Sequence, residues 1–205
     1  MRIWFVRHGE TLFNRLSRFQ GQCDAPLTEK GIHDAERARD ALKDTVFTKA
    51  FCSYSGRAED TARIILEGRG LEPVREKQLM EHYVGLLEGA LTYDPEVRAK
   101  IDHCNETGIW SEVEGEDNDA FRERIGAVMN RIAGTCAEDD QILIVSHGSF
   151  CLYMLEVLFG IDQKELRRNS PGYPVPNGGI AQMAYEKGVW TLLALPQDPD
   201  VYQTV

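Results

Sequence analysis

The stretch that decides the fold is residues 3–10, "IWFVRHGE". Four apolar residues, Ile3 to Val6, run unbroken into Arg7, His8, Gly9 and Glu10. A continuous apolar run of strand length is what a strand needs when both of its faces are covered. Residues 142–149, "ILIVSHGS", repeat the arrangement: four apolar residues, one polar residue, then His147 and Gly148. Each histidine is therefore expected just past the C-terminal end of a central strand, the edge at which open α/β sheets bind ligands. The glycine after each lets the chain turn sharply and lets a ligand approach the backbone.

Outward from these two strands, residues 49–53 and 72–76 are weaker strand candidates. Residues 179–185 and 189–195 alternate around Glu186, Lys187 and Gly188, as a hairpin does. Helical patterns lie between. Residues 26–42 carry Thr28 as N-cap, with Ala35, Ala38 and Leu42 on one face. Residues 55–66, "SGRAEDTARIIL", place Ser55 as N-cap and Ala58, Thr61, Ala62 and Ile65 at helical spacing. Phe121, Ile125, Val128 and Ile132 form one stripe, and residues 149–159 are apolar nearly all round. Residues 85–118 break the alternation with Gly, Pro and acidic residues, and with a weak helix near Pro95–His103. They read as an excursion from the sheet, a lid. The whole predicts one α/β domain over residues 1–205.

A chain of 205 residues is long enough for one well-filled core. The net charge of -10 and a pI near 5.0 disfavour nucleic acid and anionic lipid as partners, so no nucleic-acid or membrane role is expected. Any anion site must gather its positive charge locally. Five widely spaced cysteines with no C-x-x-C point to reduced thiols and a cytoplasmic setting. The apolar run at the N-terminus is too short for a signal peptide or a membrane span. The oligomeric state, monomer or homodimer, is not encoded in any pattern.

Arg57 falls in the first turn of its helix, where free N–H groups attract anions. A guanidinium is poorly placed there unless an anion faces it or a carboxylate such as Glu59 or Asp60 pairs with it. With Arg7, His8 and His147 it makes the set expected of a phosphate pocket. Such a set fits covalent phosphoryl transfer. One neutral imidazole attacks phosphorus, its other nitrogen being held by a backbone carbonyl. The arginines and the second imidazole stabilise the equatorial oxygens, and a protonated carboxyl group serves the leaving alkoxide. Two other classes stand beside this one. A metal hydrolase would use His8, His33, His82, His103 and His147, but no H-x-x-x-H or H-x-H pair exists among them. A non-catalytic protein would bind a phosphate ligand in the same pocket.

The sequence resembles the histidine phosphatase superfamily, the phosphoglycerate mutase-like group. "RHGETLFN" (7–14) resembles its R-H-G-E-[ST]-x-x-N signature, and "FQGQCDAPLTEKG" (19–31) its G-x-x-D-x-P-L-[ST]-x-x-G run. "SYSGRAEDTA" (53–62), "LMEHYVGLLEG" (79–89), "GEDNDAF" (115–121) and "IVSHGS" (144–149) resemble further segments, in order. The resemblance implies a mixed, mostly parallel central sheet flanked by helices on both faces, with insertions over the site. It implies no metal and no cofactor. His8 would be the nucleophile, Arg7 and Arg57 phosphate ligands, His147 the second imidazole and Glu81 the proton donor. Asn14, Gln20, Gly21 and Gly148 would contact phosphate or substrate. Glu81 rests on the resemblance alone. Leu87 stands where the family often has Trp, and Asp117 where it has a hydroxyl residue. Tyr54 is expected at the entrance or in packing, and Tyr83, Trp110 and Tyr173 against an organic group or in the core.

The expected activity is phosphomonoester hydrolysis on a small phosphorylated metabolite through a phosphohistidine at His8. A mutase-type phosphoryl transfer is the alternative. The excursion offers few cations for a second anionic group. Its carboxylates at 106, 112, 114, 116, 117 and 119 form an acidic wall that disfavours a doubly anionic ligand.

Overall fold

A computed structural model describes residues 1–170 and 172–203. Six strands form one sheet in the order β3-β2-β4-β1-β5-β6. They are β1 (Arg2–Arg7), β2 (Lys49–Ser53), β3 (Val74–Glu76), β4 (Gln141–Ser146), β5 (Ile180–Glu186) and β6 (Val189–Gln197). β3, β2, β4 and β1 are mutually parallel, whereas β5 and β6 join antiparallel as a hairpin beside β1. The mixed, mostly parallel sheet expected from the resemblance is the one observed. The helices are α1 (Leu12–Arg15), α2 (Glu29–Ala41), α3 (Gly56–Ile65), α4 (Pro95–Thr107), α5 (Asn118–Gly134), α6 (Gly148–Phe159) and α7 (Gln163–Asn169).

The apolar runs of β1 and β4 are continuous because both faces of the sheet are covered. Ile3, Phe5, Ile142 and Ile144 pack with Phe121, Ile125, Met129 and Leu152 of α5 and α6. Their neighbours Trp4, Val6, Leu143 and Val145 pack on the opposite side with Ala38 of α2 and Ala58, Ala62 and Ile65 of α3. Burial of this apolar area is the main term that holds the layers together.

Register decides where the site falls. Val6 pairs with Val145 and Arg7 with Ser146, so the next residues, His8 and His147, leave adjacent strands at the same level. β2 lies on the other side of β4, with Cys52 opposite Val145, so its exit into α3 opens at the same edge.

The excursion has its own small core. Val84, Leu87, Ile101, Cys104 and Trp110 are buried together, with Phe19, Val97 and Val113 against them. Leu87 is therefore an interior residue in the same cluster as Trp110. The helix is longer than the sequence pattern indicates, starting at Pro95 behind the N-cap Asp94 and stopping at Gly108 in the left-handed region. Two helix starts lack a side-chain cap bond, one of them at the expected N-cap Ser55. Ser55 makes no side-chain cap bond; the Gly56 N–H donates instead to Asp24 Oδ2 at 2.6 Å. Asp117 precedes α5, but its carboxylate turns away to accept from the Ser111 N–H at 2.7 Å. At α3 a distant carboxylate takes the N1 N–H, and at α5 the cap residue turns back to a neighbour six positions before it.

Candidate active site

His8 is 3% exposed, at the end of β1. Its Nδ1 lies 2.8 Å from the Gly9 carbonyl oxygen. A carbonyl only accepts, so Nδ1 carries the proton and the lone pair of the neutral ring is on Nε2. Burial, then the nearby charges of Arg57 and Arg7, hold its pKa well below the usual histidine value. The imidazole is thus neutral, with its unprotonated nitrogen defined.

The His147 ring centroid is 5.2 Å from that of His8, at an interplanar angle of 66°. The two imidazoles that the paired strand ends imply do share one site. His147 is fully buried, and both of its ring nitrogens are committed. Nδ1 accepts from Arg57 Nη2 at 3.1 Å, and Nε2 donates to Ser53 Oγ at 2.7 Å. Burial, with the positive charge of Arg57, also keeps this ring neutral. The expectation that it would donate to phosphoryl oxygens is not met by this arrangement, because neither nitrogen is free. Its contact is with Arg57.

The two arginines differ in the same way. Arg57, 1% exposed, donates from Nη1 to the Cys23 carbonyl at 2.8 Å and to Asp24 Oδ1 at 3.2 Å. Its Nη2 donates to the Gly21 carbonyl at 2.8 Å as well as to His147. The carboxylate partner is Asp24, neither Glu59 nor Asp60. Only Nε is left without a partner. Arg7 donates from Nη1 to the Val175 carbonyl at 2.6 Å, and its guanidinium lies 4.9 Å from the centre of the Tyr173 ring. Its Nε is also unpartnered. Burial lowers the pKa of both arginines from the usual value, with Glu81 pulling the other way in each.

Glu81 lies on an irregular segment between a 3-10 turn, Lys77–Leu79, and the next, Gly85–Leu87. Its Oε1 accepts from the His82 and Phe150 N–H groups, both at 2.9 Å, and its Oε2 accepts from Ser149 N–H at 3.0 Å. The last two belong to the first turn of α6, where free N–H groups attract a carboxylate. A carboxylate has about four lone-pair positions. Oε1 uses both of its own, and Oε2 keeps one.

Arg7, His8, Asn14, Gln20, Gly21, Arg57, Glu81 and Gly148 all line one cavity of about 1030 Å³; His147 lies behind it. Among the described residues six buried side-chain polar atoms lack a hydrogen-bond partner, and five of them are on residues of this cavity: Arg7, Gln20, Arg57, Trp110 and Asn118. Buried N–H groups are rarely left unpaired. The Nε atoms of Arg7 and Arg57, with Gln20 Nε2, make a donor set suited to a phosphoryl group. Gln20 is fixed through Oε1, which accepts from Thr11 Oγ1 at 2.8 Å. Asn14 closes a capping box on Thr11, and Asn177 Nδ2 reaches it at 3.4 Å. Gly21 has φ +57°, and a Cβ there would meet Glu88 Oε1 at 2.5 Å, so the loop that feeds its carbonyl to Arg57 needs glycine.

The cavity continues under the excursion, along Thr92, Ile101, Ile109 and Trp110. Tyr173 lines it, Trp110 both lines it and packs in the satellite core, and Tyr83 does not reach it. Tyr54 is not at the entrance either; it stacks on Arg75 at 3.9 Å. Part of the acidic wall is answered within the chain: Glu116 pairs with Arg124, Asp119 with Arg122, and Glu112 sits 3.0 Å from His103. Arg18, Lys164 and Arg167 reach the same cavity from distant segments. The excursion itself brings only Arg98 to the lining; the other cations come from outside it, alongside the carboxylates of Glu106, Asp117, Asp119, Glu156 and Asp162. Among the described residues no group of three or more His, Cys, Asp or Glu side chains is placed to hold a metal ion.

A sequence model of the histidine phosphatase superfamily, branch 1, matches residues 3–198. The chain belongs to that superfamily. Among other histidine phosphatase relatives, the Yersinia pestis (strain Pestoides F) protein "Probable phosphoglycerate mutase GpmB" is 32% identical over 197 residues, 93% of this chain and 87% of that one. Two solved histidine phosphatase-like structures superpose along the chain. The alpha-ribazole phosphatase from Shigella flexneri has a TM-score of 0.80 at 27% identity, covering 97% of both chains. The phosphoglycerate mutase from Bacillus anthracis str. Sterne has 0.79 at 28%, covering 95% of this chain and 92% of that one. The superfamily thus presents both phosphatase and mutase names at similar distance from this chain.

Sequence reasoning missed Ser53, Asp24 and Asn177 as parts of the site, and it named Tyr173 only as a contact for an organic group or a core residue. Ser53 and Asp24 sit inside the quoted motifs, so their position was the available signal. Tyr173 and Asn177 reach the site only through the tertiary fold.

Proposed function

We propose that this superfamily member is a phosphomonoesterase that acts on a small phosphorylated metabolite through a phosphohistidine at His8. The observation that carries the reading is the His8 tautomer: Nδ1 is held by the Gly9 carbonyl, and Nε2 bears the lone pair beside two arginines.

In the first half-reaction His8 Nε2 attacks phosphorus, the P–N bond forms and the ester P–O bond breaks. Positive charge from Arg7 and Arg57 meets the charge that spreads over the equatorial oxygens. Arg7 has the freer guanidinium and is the main ligand. Arg57, held by Asp24, two carbonyls and His147, supplies fixed charge and one N–H. His147 serves by holding that guanidinium. Glu81, through Oε2, gives its proton to the leaving alkoxide. In the second half-reaction the same oxygen takes a proton from water as the water attacks the phosphohistidine, which releases phosphate and restores neutral His8. Residues 85–118 act as the cover of the site, and a cavity of about 1030 Å³ leaves room for a leaving group much larger than phosphate.

Mutase-type transfer is the second reading, supported by the relatives' names and by Arg18, Lys164 and Arg167 in the cavity. One assay separates the two. Incubation with a panel of phosphorylated metabolites and 4-nitrophenyl phosphate is expected to release inorganic phosphate in step with substrate loss. Isomerised phosphoglycerate without phosphate release would reverse the assignment, and absence of any turnover across the panel would favour the non-catalytic reading.

A further inference from the structure

The segment that carries Glu81 has no strand or helix ladder of its own, so its backbone carbonyls must find partners elsewhere. Three of them meet the same side chain. Arg124, on α5, donates from Nη1 to the Gln78 and Met80 carbonyls, both at 2.8 Å, and from Nη2 to the Glu81 carbonyl at 3.2 Å. Its remaining two N–H groups form a fork on Glu116: Nε to Oε1 at 2.8 Å and Nη2 to Oε2 at 2.7 Å. All five guanidinium donors are used. The side chains of Arg124 and Glu116 are only 14% and 18% exposed, so the pair is little screened by water.

Glu116 is itself tied to the residues after Glu81. Its N–H donates to the Tyr83 carbonyl at 2.8 Å, and its carbonyl accepts from His82 Nε2 at 2.5 Å. Gln22 Nε2 adds a second donor to the Glu81 carbonyl at 3.0 Å. The main chain of Glu81 is therefore fixed from α5 and from the end of the excursion, while its carboxylate is fixed by α6.

We infer that Arg124 is a positioning residue for Glu81, with Glu116 as its anchor, and that the pair couples the cover segment to the acid. The inference rests on the reading of Glu81 as the proton donor. A lysine at position 124 keeps the charge but cannot serve three carbonyls and a carboxylate from one planar fork. Loss of the fork lets Glu81 Oε2 drift from the leaving oxygen, and this matters only where the leaving group needs a proton.

The test compares wild type, Glu81→Gln, Arg124→Met, Arg124→Lys and Glu116→Gln on aryl and alkyl phosphates whose leaving groups span several pKa units, with melting temperatures measured alongside. Glu81→Gln is expected to lose about 10²-fold or more on poor leaving groups and little on good ones. Arg124→Met is expected to do the same in kind, with Arg124→Lys and Glu116→Gln smaller in the same direction. In Glu81→Gln the further Arg124→Met change should add little to that selectivity. If Arg124→Met does not fold, the lysine and Glu116 variants carry the comparison. A steep leaving-group dependence for Glu81→Gln together with a uniform loss in every folded Arg124 and Glu116 variant would overturn the positioning role alone. A flat dependence for Glu81→Gln would overturn the acid role, and the positioning role with it.

Discussion

Three buried imidazoles set the pH behaviour of individual residues here. His8, His147 and His82 all have pKa values below 6.5, burial being the first cause in each. For His8 and His147 the arginines deepen the shift. Below pH 6.5 the unfolded chain binds protons that the folded one refuses. Their contribution to stability is therefore complete above about pH 6.5 and is lost progressively as the pH falls toward the depressed folded values. Melting temperature is expected to drop between pH 6.5 and 5, and His147→Asn should flatten that slope. A melting temperature flat over this range would mean the rings titrate normally. The same shift acts on rate: once substrate ionisation is allowed for, the acid limb of kcat/KM should lie below pH 6.5. A limb at or above 6.5 would show that His8 carries a proton it must first lose.

At the scale of elements, the site depends on how closely the end of β1 approaches α2. A Cβ on Gly9 would lie 2.0 Å from the Gly31 carbonyl oxygen, and one on Gly31 would lie 1.9 Å from that of Glu10. These are backbone atoms and cannot rotate aside. Gly9→Ala is expected to destabilise the fold by roughly 1–3 kcal/mol by overpacking and to cut turnover, since the Gly9 carbonyl orients His8. Thermal denaturation and a rate assay check both; an alanine variant with wild-type values would mean that the contact is loose. Much of this scale was legible in the sequence. The repeated apolar run with His-Gly located β1, β4 and both imidazoles, because a continuous run has few other uses in a chain of alternating elements. The caps were less legible. Ser55 and Asp117 hold cap positions, but the Ser55 hydroxyl lies beside His147 and the Asp117 carboxylate turns back to Ser111, contacts that the cap pattern does not encode.

At the scale of the whole molecule, the site is assembled from segments far apart in sequence, and here the least was legible from sequence alone. Glu81 is one of many acids until α6 offers it N–H groups, and Arg124 one of many cations until an irregular segment needs donors. Lys164, Arg167 and Tyr173 come to the cavity from beyond α6 and face it together with Glu106, Asp117 and Asp119 of the acidic stretch, a mixture of charge that residues 105–119 alone do not reveal. The histidines also disperse. His33 and His103 are exposed on α2 and α4 beside Glu36 and Glu112, and His82 is bonded to the Glu116 carbonyl. With donors so arranged, extraction with EDTA is expected to leave turnover unchanged; a loss restored by a divalent metal would contradict the mechanism.

The central claim is that His8 Nε2 becomes bonded to phosphorus during turnover. The most direct measurement is mass spectrometry of enzyme quenched rapidly in alkali during turnover, with His8→Ala run in parallel. The account predicts an added phosphoryl group on His8 that survives alkali and is lost in acid, and neither adduct nor turnover in the variant. Phosphate found on a serine, or full turnover by His8→Ala, would contradict it.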